Sequence, residues 1–434
     1  MVKLLHLSDI HMGSGFSHGQ TNPITGLNTR LEDCVAALER CIDRALGEPV
    51  DLVLFGGDAF PDATPPPLVQ QAFAAQFQRL VEAGIPTVML VGNHDQHAQG
   101  AGGASLSIYR TLGVPGVIVG DSLATHRIDT CSGPIQVVTL PWITRSTLLT
   151  RPETDALSLG EINQLLLDRL RAALEGEIRR LDPTVPTVLL AHLMTDTARY
   201  GAERFLAISK GFTVPMALLA RPCFHYVALG HVHRHQVLCQ DPWVVYPGSI
   251  ERVDFSEEGE EKGFVLAEVT CDRTTVAFQS LPVRAFRTIS VELLAAKDPQ
   301  AELLAAIDQA DIDEAVVRLT YRLGPTQIDA IDMAELARAL AVAHSYTIHP
   351  ELVSQQSRSR LPELRADGAT DPLSALQLYL ANREDLADLA DAMVQTAQLM
   401  LTEETARLDQ QLWLDDEEVT AEGEAEGERQ LRLL

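Results

Sequence analysis

Three observations point to an α/β architecture. Short apolar runs each end in glycine or a polar residue, amphipathic stretches lie between them, and the pattern becomes strand-rich further along the chain. Together they predict a two-sheet α/β sandwich flanked by helices, with a small α+β unit and C-terminal helices behind it.

The runs are Leu4–Leu7, Leu52–Phe55, Val88–Val91, Val188–Ala191 and Tyr226–Leu229, rich in Leu, Val and Ala. Continuous rather than alternating apolarity is the mark of a strand covered on both faces. Arg30–Leu46 and Leu68–Ala83 fall between the first runs and read as helices. Trp243–Tyr246, Phe264–Val269 and Thr275–Leu281 add further strands, so residues 1–285 read as one domain. Within 286–353, strands at Arg287–Leu293, Ala315–Arg322 and Ser345–His349 are separated by helices near Gln300–Gln309 and Met333–Ala343, the layout of a small α+β unit. Residues 354–371 open on a polar stretch without periodicity and read as a linker. Residues 372–414 read as helical. Leu386, Leu389, Met393, Ala397 and Met400 recur at intervals of three and four, and Val394, Leu401, Leu408 and Leu412 widen the apolar face. Such a stripe packs either on the protein's own core or on a partner. The final segment, 415–434, is acidic, with eight Asp or Glu and no Lys or Arg between 415 and 428, and reads as disordered.

Chemistry-bearing residues follow the apolar runs. Asp9 and His11 follow the first, Gly57-Asp58 the second, Gly92-Asn93-His94-Asp95 the third, His192 the fourth and Gly230-His231-Val232-His233 the fifth. Functional groups of open α/β sheets gather just beyond the carboxyl ends of the strands, so these side chains are expected on one rim. Singly, each reads as a strand-end cap or hydrogen-bonding residue; all five groups in this order read as a metal site. Carboxylate, carboxamide and imidazole without thiolate suit Mn, Fe, Zn or Mg. Asp9, His11, Asp58, Asn93, His192, His231 and His233 are too many for one ion. Two ions about 3.5–4 Å apart, bridged by one carboxylate, would use them all.

The order D-x-H, G-D, G-N-H-D, H, G-H-x-H resembles the signature of the calcineurin-like metallophosphoesterases. Leu7–Gly13, Gly56–Phe60 and Tyr246–Arg252, with Asp254–Glu257 and Lys262–Phe264 behind them, resemble more closely the bacterial SbcD-type nuclease subunits. That resemblance implies that Asp9, His11, Asp58 and His233 hold one ion, and Asp58, Asn93, His192 and His231 the other, with Asp58 as the bridge and Mn²⁺ as the metal. It gives His94 a separate role, contacting the phosphate and protonating the leaving oxygen. Asp95 either orients His94 or stabilises the strand end. The implied activity is 3′-to-5′ exonuclease action on duplex DNA and endonuclease action on single strands and hairpins, in DNA repair and recombination. The implied partners are DNA and an SbcC-type ATPase, with a homodimer of this subunit inside a heterotetramer. Residues 286–353 would then cap the site, and Leu386, Leu389, Met393 and Met400 would dock on the ATPase. One position departs from the pattern: Pro61 stands where archaeal members carry a His that affects exonuclease action, which leaves the balance of the two activities open. His18 and His97, near the motifs in sequence, read as exposed loop residues.

A formal net charge of −26 argues against a protein that coats DNA unaided, because duplex affinity comes from Lys and Arg neutralising phosphates. A nuclease of this composition needs its metals, a local basic strip or a partner. No apolar stretch is long enough to span a bilayer. The first strand begins directly after Met1, and the six scattered cysteines lack any C-x-x-C pairing, so the expected compartment is the cytoplasm. Two other readings fit the motifs: a metallophosphatase or small-molecule phosphodiesterase on the same fold, and a non-catalytic scaffold for an ATPase. The residues beyond 285 weigh against the first, since a small substrate needs no cap; the complete ligand set and His94 weigh against the second.

Overall fold

A computed structural model of the 434-residue chain describes residues 1–97, 103–143, 158–201, 213–353, 372–381 and 389–400. Four strands open the first sheet, β1 (Val2–Leu7), β2 (Leu52–Phe55), β3 (Thr87–Leu90) and β4 (Val117–Gly120), all parallel. Helices α1 (Thr29–Gly47) and α2 (Pro67–Glu82) supply the first crossovers, within a residue or two of the spans expected. Asn28 caps α1 by accepting a hydrogen bond from the Arg30 amide, and Pro67 starts α2, where its missing N–H costs nothing.

The second sheet begins with β5 (Ala124–Thr130), β6 (Gly133–Leu140) and β7 (Thr187–His192). A two-stranded ribbon, β8 (Met194–Thr195) and β9 (Thr213–Val214), follows, and then β10 (Tyr226–Gly230), β11 (Gln236–Gln240) and β12 (Trp243–Tyr246) complete the sheet. Two last strands, β13 (Gly263–Val269) and β14 (Thr274–Ser280), return to the first sheet and pair antiparallel beside β1. The orders are β14-β13-β1-β2-β3-β4 and β11-β12-β10-β7-β6-β5, two mixed six-stranded sheets packed face to face. This is the expected two-sheet α/β sandwich.

Strand alternation divides the core into three layers. Leu4, Leu52, Leu54, Val88 and Leu90 point between the sheets, against Val137, Val188, Leu190, Tyr226 and Ala228 of the second. The intervening Leu5, Leu7, Val53, Phe55 and Met89 face outward and are covered by Leu38, Ile42, Phe73 and Phe77 of the helices. On the other side, Val138, Leu189, Val227 and Leu229 are covered by Leu170 and Leu174 of the helix Leu159–Ile178. Both faces of the inner strands β1, β2, β3, β7 and β10 are therefore dry, which is why these runs read as continuous apolar segments.

Beyond 285 lies a third, all-parallel sheet of β15 (Phe286–Glu292), β16 (Val316–Leu323) and β17 (Ser345–Leu352). Helices Pro299–Asp308 and Met333–Ala339 pack on it around Leu303, Ile307, Leu319 and Leu336. The second helix is shorter than expected: at Leu340–Val342 it tightens into a 3₁₀ turn. This unit rests on the first through a compact seam. Phe286 packs edge-on to Phe255 with centroids 4.9 Å apart, Arg30 lies over the Phe286 ring, and Arg284, held by Asp33 at 2.7 Å, donates across to the Glu314 carbonyl at 2.8 Å. Helical backbone continues at Pro372–Ala381 and 390–400. The expected linker 354–371, the acidic tail, Leu386, Leu401, Leu408 and Leu412 lie outside the described residues.

Phe73 sits at the centre of an aromatic cluster, with ring centroids 4.6 Å from Phe77, 5.1 Å from Phe60 and 5.8 Å from Phe55. It is fully buried between α2 and the first sheet. Phe73→Ala is expected to destabilise the sandwich by about 3–5 kcal/mol. A urea unfolding curve followed by circular dichroism checks this, and a midpoint equal to that of the parent chain would contradict the packing described.

Candidate metal centre

Three of the five ligand-bearing strands, β1, β2 and β10, run into left-handed backbone at their ends. Among the described residues, five other than glycine adopt positive φ, and four are candidate ligands: Asp9 (53°), His11 (44°), Asp58 (58°) and His231 (101°). Left-handed backbone is unfavourable for such side chains and persists where the surroundings dictate it. Here they do. The amides of Asp9 and His11 donate to the carbonyls of Gly57 and Asp58 at 3.0 Å, and the His231 amide donates to the Asp9 carboxylate at 3.0 Å. Gly57 (φ 99°) precedes Asp58, and a side chain there would press on His192 Nδ1 at 2.7 Å. A side chain at Gly92 would collide with the Asp58 carboxylate. The glycines of G-D and G-N-H-D thus leave room for the ligands.

All seven candidate ligands converge where the two sheets meet. Asp9, His11 and His233 bring one ligand atom each within 4.8 Å of one another, and Asp58, His192 and His231 form a second such group. Asn93 joins the latter: its Oδ1 lies 2.8 Å from His231 Nδ1 and 3.0 Å from His192 Nε2. Asp58 Oδ2 lies between the groups, 3.6 Å from His11 Nε2 and 3.3 Å from His192 Nε2, the place of a bridge. His94 also falls within 4.8 Å of His11 and Asp58, so distance alone admits it as a ligand. Its Nδ1, however, is 2.7 Å from the Pro61 carbonyl and must donate there, leaving Nε2 as the nitrogen able to exchange a proton.

Asp95 does not orient His94. Its carboxylate accepts from the amides of Asp58 (2.8 Å), Ala59 (3.0 Å) and Gly92 (2.9 Å) and from the Ser105 hydroxyl, so it organises the two ligand loops. Burial pushes its carboxyl up to about 6, assisted by the nearby Asp58 charge. His97 is exposed, as expected. His18 is not a free loop residue: it packs edge-on to Phe255 and Phe286 at the seam with the third sheet.

Three contributors carried no assigned role in the sequence. Trp142 stacks on His231, with centroids 4.9 Å apart and planes 30° from parallel, and walls one side of the site. Glu257 accepts from His233 Nδ1 at 2.6 Å and pairs with the buried Lys262 at 2.7 Å. For Glu257 and Lys262 the only signal was their place in a segment typical of the nuclease branch; Trp142 had none.

Charge distribution tests whether the site suits a cation. His192 Nδ1 faces the Gly56 carbonyl at 2.7 Å, so that nitrogen carries hydrogen. In the neutral ring Nε2 is then a bare lone pair, directed at two oxygen acceptors, Asn93 Oδ1 and Asp58 Oδ2. On the other side, His233 Nδ1 is committed to Glu257, and its Nε2 meets His11 Nε2 at 3.0 Å. Converging acceptors need positive charge between them. Burial opposes ionisation of His192, yet Asp58 and Asp9 raise it to about 9. Burial would likewise raise Asp58, but His192, His11 and His94 hold it well below the usual carboxylate range. Asp9 is raised to about 6 by burial. Burial also leaves His11 and His231 well below the ordinary histidine value, hence neutral. With His11 and His231 neutral, Asp58 ionised and the Asn93 amide oxygen beside them, and with His192 giving up its proton to an incoming cation, the donor set suits divalent ions, so the residues present fit a two-ion centre.

The calcineurin-like phosphoesterase family matches residues 2–235. Over 327 residues the chain is 26% identical to the DNA double-strand break repair protein Mre11 of Haloferax volcanii, an alignment covering 74% of this chain and 62% of that protein. The chain thus spans less than two thirds of that relative's length. Among solved structures, TT1561 of Thermus thermophilus aligns with 64% of this chain and 98% of its own at 19% identity, with a TM-score of 0.36. A dimetal phosphatase from Danio rerio aligns with 64% of this chain and 96% of its own at 12% identity, with a TM-score of 0.39. Since the matched stretch covers more than half of the sequence and includes both halves of the acceptor cluster, the chain belongs to the calcineurin-like phosphoesterase family.

Proposed function

We propose that this phosphoesterase is a two-metal DNA nuclease, the SbcD-like subunit of a complex with an SbcC-type ATPase. One observation carries the reading. The likeness to a DNA double-strand break repair protein runs over 327 residues, whereas the family match ends at 235, so the likeness extends beyond the phosphoesterase core. A phosphatase needs only that core.

In this reading Asp9, His11, Asp58 and His233 hold one divalent ion and Asp58, Asn93, His192 and His231 the other, manganese being the proposed metal. Bound ions would lower the pKa of water at the site and neutralise charge on the phosphoryl oxygens. The chain's own groups do the rest. Asp58 stays ionised and spans both halves, its other oxygen held 2.9 Å from the His94 amide. His192 and His233 keep Nδ1 protonated against Gly56 and Glu257, so each presents Nε2 to the site. His94, oriented by Pro61, offers Nε2 as the general acid that protonates the leaving 3′- or 5′-oxygen. Trp142 stacks on His231 and holds the face of its ring.

Residues 286–353 are proposed to cap the site, and the C-terminal helical segment to dock on the ATPase. Exposure supports the docking: Leu389, Met393 and Met400 are 56%, 38% and 64% exposed, so no described part of the chain covers them.

The purified chain with Mn²⁺ is expected to cleave labelled hairpin and duplex DNA faster than p-nitrophenyl phosphate at equal concentration. The reverse preference would favour the phosphatase reading, and no cleavage of either would favour the scaffold. Two substitutions separate ligand from acid. Asp58→Ala is expected to abolish cleavage and bring bound metal well below two ions per chain. His94→Ala should keep the metal and lower cleavage by about 10²–10⁴-fold. Elemental analysis decides, because metal loss in His94→Ala would move His94 among the ligands. The double change Leu389→Glu and Met393→Glu should leave the melting temperature and phosphodiester cleavage unchanged while abolishing co-purification with the ATPase. A lowered melting temperature would return the stripe to the chain's own core.

A further inference from the structure

Residues 254–262 stand between the candidate metal centre and the third sheet, and both sides hold them. Asp254 accepts from the Ser256 amide at 2.7 Å and starts a single 3₁₀ turn, Phe255–Glu257. That turn sends neighbouring side chains opposite ways. Glu257 goes to the metal centre, where it receives His233 Nδ1 at 2.6 Å, the Val253 amide at 3.0 Å and the Lys262 ammonium at 2.7 Å. Phe255 goes to the seam, edge-on to Phe286 and His18, with the Arg318 guanidinium 4.4 Å above its ring. Glu258, the next residue, accepts from the Thr288 amide of β15 at 2.9 Å. Arg252 binds the turn from behind, donating to the carbonyls of Glu257, Glu260 and Arg284 at 3.2, 2.8 and 3.0 Å.

We infer that Glu257 is a positioning residue for the ion shared by Asp9, His11 and His233, and that the third sheet sets its position through Phe255 and Glu258. The inference rests on the two-ion reading of the site. A carboxylate on the far nitrogen of a ligating imidazole fixes the tautomer, the ring orientation and the basicity of the ligating nitrogen, and losing such a partner typically weakens metal binding about 10–100-fold. Glu257 is almost wholly buried, and among the described residues its cationic partner besides His233 is Lys262, which also holds the His233 carbonyl at 3.1 Å. Its geometry is therefore set by the turn and not by solvent. The turn in turn has apolar and hydrogen-bonded partners on β15 and β16, the first two strands of the third sheet. A displacement of that sheet pulls on Phe255 and Glu258, and through one peptide unit on the carboxylate that aims His233. By reciprocity, filling the ion site stabilises the docked position of the third sheet.

Full-length chain, Glu257→Gln and Arg318→Ala are titrated with Mn²⁺, free manganese being read by electron paramagnetic resonance, and the metal-free proteins are melted in parallel. The parent chain should bind two ions. Glu257→Gln keeps an acceptor for His233 but loses the charge, and should weaken one ion about 10–100-fold while leaving the other unchanged. Arg318→Ala, which touches no candidate ligand, should weaken the same ion about fivefold. Neither change should lower the metal-free melting temperature enough to explain the loss. Two ions bound with parental affinity in Glu257→Gln would overturn the positioning role. Parental affinity in Arg318→Ala would overturn the link to the third sheet, and that result stands even where Glu257→Gln fails to fold. A parent chain that binds fewer than two ions would sink the two-ion reading itself, and this inference with it.

Discussion

Two carboxylates, a carboxamide and four imidazoles occupy one small volume, and nearly every one of them turns a lone pair inward. They need positive charge among them, and in the metal-free chain a proton on His192 supplies it toward Asn93 and Asp58. Much of the surrounding structure serves to hold them together. The five ligand-bearing strands are the buried inner strands of two sheets, and no single loop could impose such a convergence. Outward-facing hydrogen bonds complete the arrangement: His192 to Gly56, His233 to Glu257, His94 to Pro61. Each fixes a ring by its distant nitrogen, so that the near one faces the site.

This constraint explains the distribution of polar groups in the interior. Asp95 is as deeply buried as any leucine, yet it is satisfied by three amides and a hydroxyl. Lys262 is equally buried and is matched by Glu257 and Glu260. Buried charges without partners cost several kcal/mol each. The described part of the site contains none that lacks one, apart from the inward-facing acceptors that a cation would satisfy.

How much of this was legible in the sequence depends on the range of the interaction. The strands announced themselves because a run such as Leu52–Phe55 is buried on both faces, and the ligands because each closes such a run. The glycines before Asp58 and in front of Asn93 were readable for the same reason. Trp142 left no local trace: it reaches His231 from just past β6, far away in the chain, and a tryptophan after a strand usually means packing. Pro61 looked like the loss of a functional side chain, whereas its carbonyl is what orients His94; backbone atoms do not differ between residues, so sequence cannot single them out. Asp95 was ambiguous because an aspartate beside a histidine suits both an orienting and a loop-bracing role, and only the directions of the Asp58, Ala59 and Gly92 amides decide between them. The seam with the third sheet was invisible, since Phe255, Phe286 and His18 come from distant segments.

The left-handed backbone at Asp9, His11, Asp58 and His231 has a consequence for how this protein responds to selection. At these positions the side chain that the site requires is one the backbone accepts less readily than glycine. Glycine would relax the chain at each of them. Stability and chemistry therefore pull in opposite directions at the same codons. A library enriched only for survival at high temperature would drift toward glycine or asparagine there, gaining robustness as the centre loses its ligands. Deep sequencing of such a library, set beside one selected for cleavage, would sort strain from chemistry position by position, with no assay of any individual variant.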